Sequence, residues 1–73
     1  MEVEIFTGPN CGYCSAAKSL LDKRGIGYAE RDMQDATVRQ EFADRLPRMR
    51  SIPQIFIDGE HIGGFEDLRL RFE

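Results

Sequence analysis

Short runs of β-branched and aromatic residues alternate along the chain with stretches in which apolar side chains return every three or four positions. Residues 2–7 place Val3 and Ile5 in partial alternation with polar neighbours, which predicts a strand with those two side chains on one face. Gly8-Pro9-Asn10 breaks the run as a turn. From about Gly12 to Arg24 the spacing becomes helical, with Cys14, Ala17 and Leu21 in one stripe widened by Tyr13 and Leu20. Gly25 suits the stop of that helix, and Lys23 and Arg24 suit its last turn. Ile26 to Arg31 predicts a second strand with Ile26 and Tyr28 inward. Asp35 then reads as the N-cap of a helix from about Ala36 to Leu46, whose inward face is Val38, Phe42 and Leu46, and Pro47 ends it. Gln54 to Ile57 predicts a third strand with Ile55 and Ile57 on one face. Asp58-Gly59 is a hairpin turn, and Glu60 to Ile62 returns as a fourth strand. Gly63-Gly64 interrupts it, and Phe65 to Phe72 predicts a short last helix.

The order β-α-β-α-β-β-α implies an α/β fold, one four-stranded mixed sheet with helices on both faces. A helical crossover between the first two strands makes them parallel and the connection right-handed. The chain holds no repeat, linker or low-complexity segment, so residues 1–73 are expected to form a single domain. Apolar residues make up 41% and charged residues 32%, a globular rather than a disordered balance. The net charge of −3 and the scattered basic residues point away from nucleic acid as a partner. No apolar run approaches membrane length and nothing resembles a signal peptide, which predicts no membrane partner and a reducing, cytoplasmic setting.

Within this frame the two cysteines, Cys11 and Cys14, stand at the junction of the first strand and the first helix. A C-x-x-C at such a junction reads as a dithiol redox site. The first thiol falls among helix N-terminal N–H groups that lack intrahelical partners, and the positive end of the helix dipole favours a thiolate there. The second thiol lies one turn on, within reach of a mixed disulfide formed on the first. Half of a zinc site is an alternative, but zinc takes four ligands and the chain adds only His61 as a further nitrogen donor. A structural disulfide is another, although a pair closing so short a loop adds little stability.

The segments Cys11-Gly12-Tyr13-Cys14, Ser51-Ile52-Pro53-Gln54-Ile55-Phe56-Ile57 and His61-Ile62-Gly63-Gly64-Phe65-Glu66-Asp67-Leu68 together resemble the glutaredoxins, a family of the thioredoxin fold. The C-x-x-C alone is shared with the thioredoxins; the other two segments, at these separations, are more specific. The resemblance implies a thiol–disulfide oxidoreductase that reduces protein disulfides and glutathione mixed disulfides with glutathione as reductant. It implies Cys11 as the nucleophile, Cys14 as the resolving thiol, and a cis bond at Pro53. Disulfide-bearing or glutathionylated proteins are then the partners. Ile52 would offer its backbone to an extended substrate like an added strand. The N–H groups of Phe65 and Glu66, behind Gly64, would hold the γ-glutamyl carboxylate, and Asp67 the γ-glutamyl amine. The glutathione contacts implied are thus Tyr13, Ile52, Pro53, Gly64, Phe65, Glu66 and Asp67. Plainer roles exist for several: Pro53 as the start of a strand, Asp67 as a helix cap, Tyr13 as a half-buried packing ring. His61 reads as surface filler, and Met33 and Met49 as loop or core filler.

Three departures from the family pattern stand out. Gly12 occupies a place where most dithiol members have proline. Gly8 stands where many have a lysine, which leaves Arg48 or Arg50 as substitute cations. The chain ends at Glu73, short of the usual C-terminal helical region, as a compact variant or a domain of a larger redox enzyme would. Members with glycine in the place of Gly12 often share a [2Fe–2S] cluster between two subunits, each giving its first cysteine and one glutathione. The resemblance therefore implies no metal site in a monomer and Cys11 as ligand in a cluster-bridged dimer. An electron carrier reduced by thioredoxin reductase is the remaining alternative.

Overall fold

Alternation along the first strand divides the molecule into two layers. In β1 (Val3–Thr7), Val3, Ile5 and Thr7 turn to one side of the sheet and Glu4 and Phe6 to the other. The computed structural model describes residues 1–73 throughout. Its other elements are α1 (Gly12–Lys23), β2 (Ala29–Asp32), α2 (Ala36–Arg45), β3 (Gln54–Ile57), β4 (Glu60–Gly63) and α3 (Phe65–Arg71). They form one four-stranded sheet in the order β2-β1-β3-β4, with β1 parallel to β2 and antiparallel to β3, and β3 antiparallel to β4. Helices α1 and α3 cover the face of Val3 and Ile5, and α2 covers the face of Phe6. This is the four-stranded mixed sheet with helices on both faces that the order of elements implies, in the thioredoxin-like arrangement that the resemblance implies.

The two cores differ in chemistry. On the α1/α3 face Val3, Ile5, Ala17, Leu21, Ile55, Ile57 and Leu68 close an aliphatic cluster. On the α2 face Phe6, Phe42, Phe56 and Leu46 close an aromatic one, with Phe6 edge-on to Phe42 and Phe56 at ring-centroid distances of 5.3 and 6.0 Å. Charge is laid over this second cluster. The Arg45 guanidinium lies 3.9 Å above the Phe56 ring and donates two hydrogen bonds, of 3.0 and 3.1 Å, to Glu4. Arg31 joins the same carboxylate to Glu41. The hydrogen bonds from Arg45 outweigh the burial of Glu4 and hold its carboxyl below the ordinary glutamate range.

Helix ends follow the sequence signals closely. The Asp35 carboxylate accepts from the Thr37 N–H at 2.8 Å, capping α2. At the end of α1, Gly25 takes φ +68°, its N–H donates to the Asp22 carbonyl at 3.1 Å, and the Ile26 N–H donates to the Leu21 carbonyl at 2.9 Å. These bonds form a Schellman closure. They also correct the second strand, expected from Ile26 and found only from Ala29. The Ile26 N–H is used by the helix end, and the register that sets Ile5 opposite Glu30 puts Ile26 and Gly27 beyond the start of β1. Ile26 and Tyr28 still turn inward against the aliphatic cluster, as expected.

Tyr13 does not widen the buried stripe of α1: its side chain is 69% exposed. It sits about 100° round the helix from the buried Cys14, off the face that α1 turns to the core. Met33 packs against the aromatic cluster, whereas Met49 is 41% exposed on the loop after α2. No helix is long and apolar enough to cross a membrane.

Candidate active site

The turn after β1 delivers Cys11 to the start of α1. Asn10 takes φ +54°, which asparagine tolerates better than most residues. Cys11 is the N-cap of the helix in extended conformation, and its Sγ accepts from the Cys14 N–H at 3.1 Å. Sulfur thus occupies the place that a serine or aspartate oxygen takes in an ordinary cap. The helix then carries Cys14 one turn on, 5.2 Å away between Cα atoms, and the two sulfurs are joined as a disulfide. Exposure separates the pair. Cys14 is 1% exposed, while Cys11 is partly open to solvent, so only Cys11 presents its sulfur to an incoming molecule. The end of β1 leading into this turn is tied down by Glu30, which accepts from Thr7 Oγ1 and from Lys18 Nζ at 2.7 and 2.9 Å. Lys18 and then Thr7 hold the Glu30 carboxyl below its ordinary range, and Glu30 raises Lys18 in return.

The segment before β3 forms a second wall. The Ile52-Pro53 peptide is cis, and the Ile52 carbonyl oxygen stands 3.8 Å from Cys11 Sγ. A Cβ placed on Gly8 would meet Ile52 Cδ1 at 2.7 Å, so the Ile52 side chain fills the space beside residue 8. A lysine there would have to displace it.

The third wall is the start of α3. Gly63 takes φ +121°, and a Cβ on it would overlap the Asp67 carboxylate, which folds back to accept from the Gly64 N–H at 3.0 Å. Asp67 is therefore a helix cap. The N–H groups of Phe65 and Glu66, in the first turn, have no intrahelical acceptor. Tyr13 stacks on Phe65 with centroids 5.8 Å apart, joining the α1 and α3 walls. The result is an open groove of about 500 Å³ lined by Tyr13, Ile52, Pro53, Gly64, Phe65, Glu66 and Asp67, with Met49, Ser51, Gln54 and Gly63. Every groove residue named from the sequence lies in it. Arg48 and Arg50 do not; they project from the exposed loop on either side of Met49.

His61 is not surface filler. It is half-buried, with its ring 5.1 Å from Phe56 and Nε2 2.7 Å from Gln54 Oε1. The hairpin carries the signal: a turn at Asp58-Gly59 pairs Phe56 with His61 and leaves Gln54 diagonal to it on the same face. No three His, Cys, Asp or Glu side chains converge as a metal centre.

A partly exposed N-cap cysteine bonded to a buried one a turn later, on a sheet of this order, defines a thiol–disulfide oxidoreductase of the thioredoxin fold. The glutaredoxin family profile matches residues 3–62, and the chain belongs to the glutaredoxin family. The glutaredoxin of Neisseria meningitidis serogroup A is 46% identical over 68 residues, covering 90% of this chain and 79% of that protein. The crystal structure of glutaredoxin 1 from Francisella tularensis, complexed with cacodylate, superposes with a TM-score of 0.82 at 35% identity, covering 97% of this chain and 91% of that one. The buckwheat glutaredoxin–glutathione complex superposes with a TM-score of 0.81 at 28% identity, over 96% of this chain and 66% of that one.

Proposed function

We propose that this glutaredoxin draws its electrons from glutathione and reduces both protein disulfides and glutathione mixed disulfides. It acts as a single domain of residues 1–73 in a reducing, cytoplasmic setting. The observation that carries the reading is the groove running from the Ile52 carbonyl, 3.8 Å from Cys11 Sγ, to the start of α3. Its lining suits a short extended peptide with a charged end. The Ile52 backbone pairs with the peptide, and Pro53 and Tyr13 flank it. Gly64 leaves room for its end, where the N–H groups of Phe65 and Glu66 meet a carboxylate and Asp67 meets an ammonium group. The structural neighbour from buckwheat, solved with glutathione, supports the same choice of ligand.

The chemistry follows from exposure. The Cys11 thiolate, held by the Cys14 N–H and the helix dipole, attacks the glutathione sulfur of a mixed disulfide and releases the protein thiol. A second glutathione thiolate attacks the glutathione sulfur on Cys11, giving glutathione disulfide and restoring Cys11. With a protein disulfide, the Cys11 thiolate attacks one substrate sulfur, the substrate S–S bond breaks, and the other substrate sulfur leaves as a thiol. Cys14 then attacks Cys11 Sγ, and the substrate leaves fully reduced. The Cys11–Cys14 disulfide so formed is the state of the present structure, and two glutathione molecules reduce it.

Cys11→Ser should abolish both activities. Cys14→Ser should keep removal of glutathione from a glutathionylated peptide and impair reduction of an intramolecular protein disulfide. Turnover by Cys11→Ser would reverse the roles of the two thiols, and equal loss of both activities in Cys14→Ser would remove the division between them. A [2Fe–2S] cluster shared by two copies would draw on Cys11 alone in each, because Cys14 is buried, with glutathione thiols completing the set.

A further inference from the structure

Gln54 is the polar member of β3 and is 4% exposed. Its carboxamide is engaged at both ends. The amide nitrogen lies 3.1 Å from the Ser51 carbonyl oxygen and 3.3 Å from Ser51 Oγ, and the amide oxygen lies 2.7 Å from His61 Nε2. A backbone carbonyl can only accept, so the Gln54 nitrogen faces Ser51 and its oxygen faces His61. That oxygen can only accept as well, so His61 Nε2 carries a proton whether the ring is neutral or charged. His61 thereby satisfies the oxygen of a buried amide whose nitrogen holds the Ser51 carbonyl. The next residue is Ile52, which lines the groove and sets its carbonyl beside Cys11 Sγ. His61 itself does not line that groove; its ring is seated on Phe56.

We propose that His61 is a positioning residue for the reaction: through Gln54 it holds the Ser51-Ile52 segment in register with Cys11 and so sets where the incoming disulfide lies. The inference rests on reading Ile52 as part of the substrate groove. Without the imidazole donor the Gln54 amide oxygen is left buried with no partner, and the carboxamide shifts towards one at the expense of its bonds to Ser51. The segment moves, while the Cys14 N–H that holds Cys11 Sγ is untouched. Binding of the substrate weakens, and the nucleophile keeps its character.

The test is steady-state kinetics on a glutathionylated peptide, with melting temperatures measured in parallel. His61→Leu should raise KM roughly two- to tenfold, the weight of one buried hydrogen bond, with kcat and the pH profile of Cys11 alkylation unchanged. Gln54→Leu, which also changes a residue lining the groove, should raise KM at least as much, and the double variant should be no worse than Gln54→Leu alone, because the effect of His61 passes through Gln54. His61→Gln, which sets an amide nitrogen close to the place of Nε2, should recover most of the loss. A KM unmoved in His61→Leu, with or without a lower melting temperature, overturns the inference. So do losses that add in the double variant. If wild type fails to use glutathione, the proposed function falls, and the inference is decided by nitrogen-15 spectra instead. The Ile52 amide resonance should then shift in His61→Leu and return in His61→Gln; a resonance that stays in place overturns it.

Discussion

Asp67 folds its carboxylate back onto the Gly64 N–H while it also lines the groove, so the side chain proposed to meet the γ-glutamyl amine caps α3 as well. Two substitutions separate these roles. Asp67→Ala should raise KM for glutathione and cost about 1 kcal/mol of stability, the usual weight of a lost N-terminal cap. Asp67→Asn keeps an acceptor for the Gly64 N–H but removes the charge, so it should recover the stability and keep the raised KM. In both variants the thiolate titration of Cys11 should stay in place, and a full-unit displacement would show that Asp67 acts on the nucleophile. At this scale the sequence was most informative where chemistry left few choices. Two cysteines in the whole chain, at a strand-to-helix junction, mark the site by themselves. Tyr13 and His61 were harder to read, because a residue's exposure depends on what its element packs against. Tyr13 lies one position off the buried face of α1, and His61 is enclosed by a hairpin partner and a buried amide.

The elements are held by their ends and faces, and the charged layer over the aromatic core ties three of them together. Glu4 of β1, Arg31 of β2, and Glu41 and Arg45 of α2 form one network beside Phe6 and Phe56. The folded protein holds the carboxyls of Glu4 and Glu30 below their ordinary range. The stability they confer is therefore present above about pH 4.3, the unfolded value, and is lost as pH falls through the lower folded values. Both pairs are partly solvated, so the Glu4 network should contribute about 1 kcal/mol or less. Melting temperature followed from pH 7 to pH 3 should fall through this range, and Glu4→Gln should flatten the fall by a few degrees. An acid limb of unchanged slope in Glu4→Gln would show that the network adds nothing. Hydrophobic spacing made the helices and the β3–β4 hairpin legible, and Asp35, Gly25 and Asp58-Gly59 marked their ends. The start of β2 was not legible. Ile26 and Tyr28 alternate inward as a strand does, but pairing depends on where β1 begins, which is a property of the sheet register.

At the scale of the whole molecule, the redox site sits at one end of the sheet, where the turn after β1, the segment before β3 and the start of α3 converge. Gly12, the first residue of α1, has open space around the position of a Cβ, so proline at this N1 position can be accommodated. Gly12→Pro should therefore fold and retain disulfide reduction, which makes it a clean test of cluster binding. Wild type reconstituted anaerobically with iron, sulfide and glutathione should colour and run as a dimer, and Gly12→Pro should do so less. Equal assembly by both would remove loop freedom at Gly12 as the cause, and a colourless wild-type monomer would remove the cluster while leaving the disulfide chemistry. The central claim, that glutathione supplies the electrons, meets its most direct test in a coupled assay on a glutathionylated peptide. NADPH consumption is followed once with glutathione and glutathione reductase and once with thioredoxin reductase in their place. Turnover that depends on Cys11 with the first pair, and none above background with the second, is the predicted result. Turnover driven by thioredoxin reductase, with glutathione unable to replace it, would contradict the assignment of the groove to glutathione.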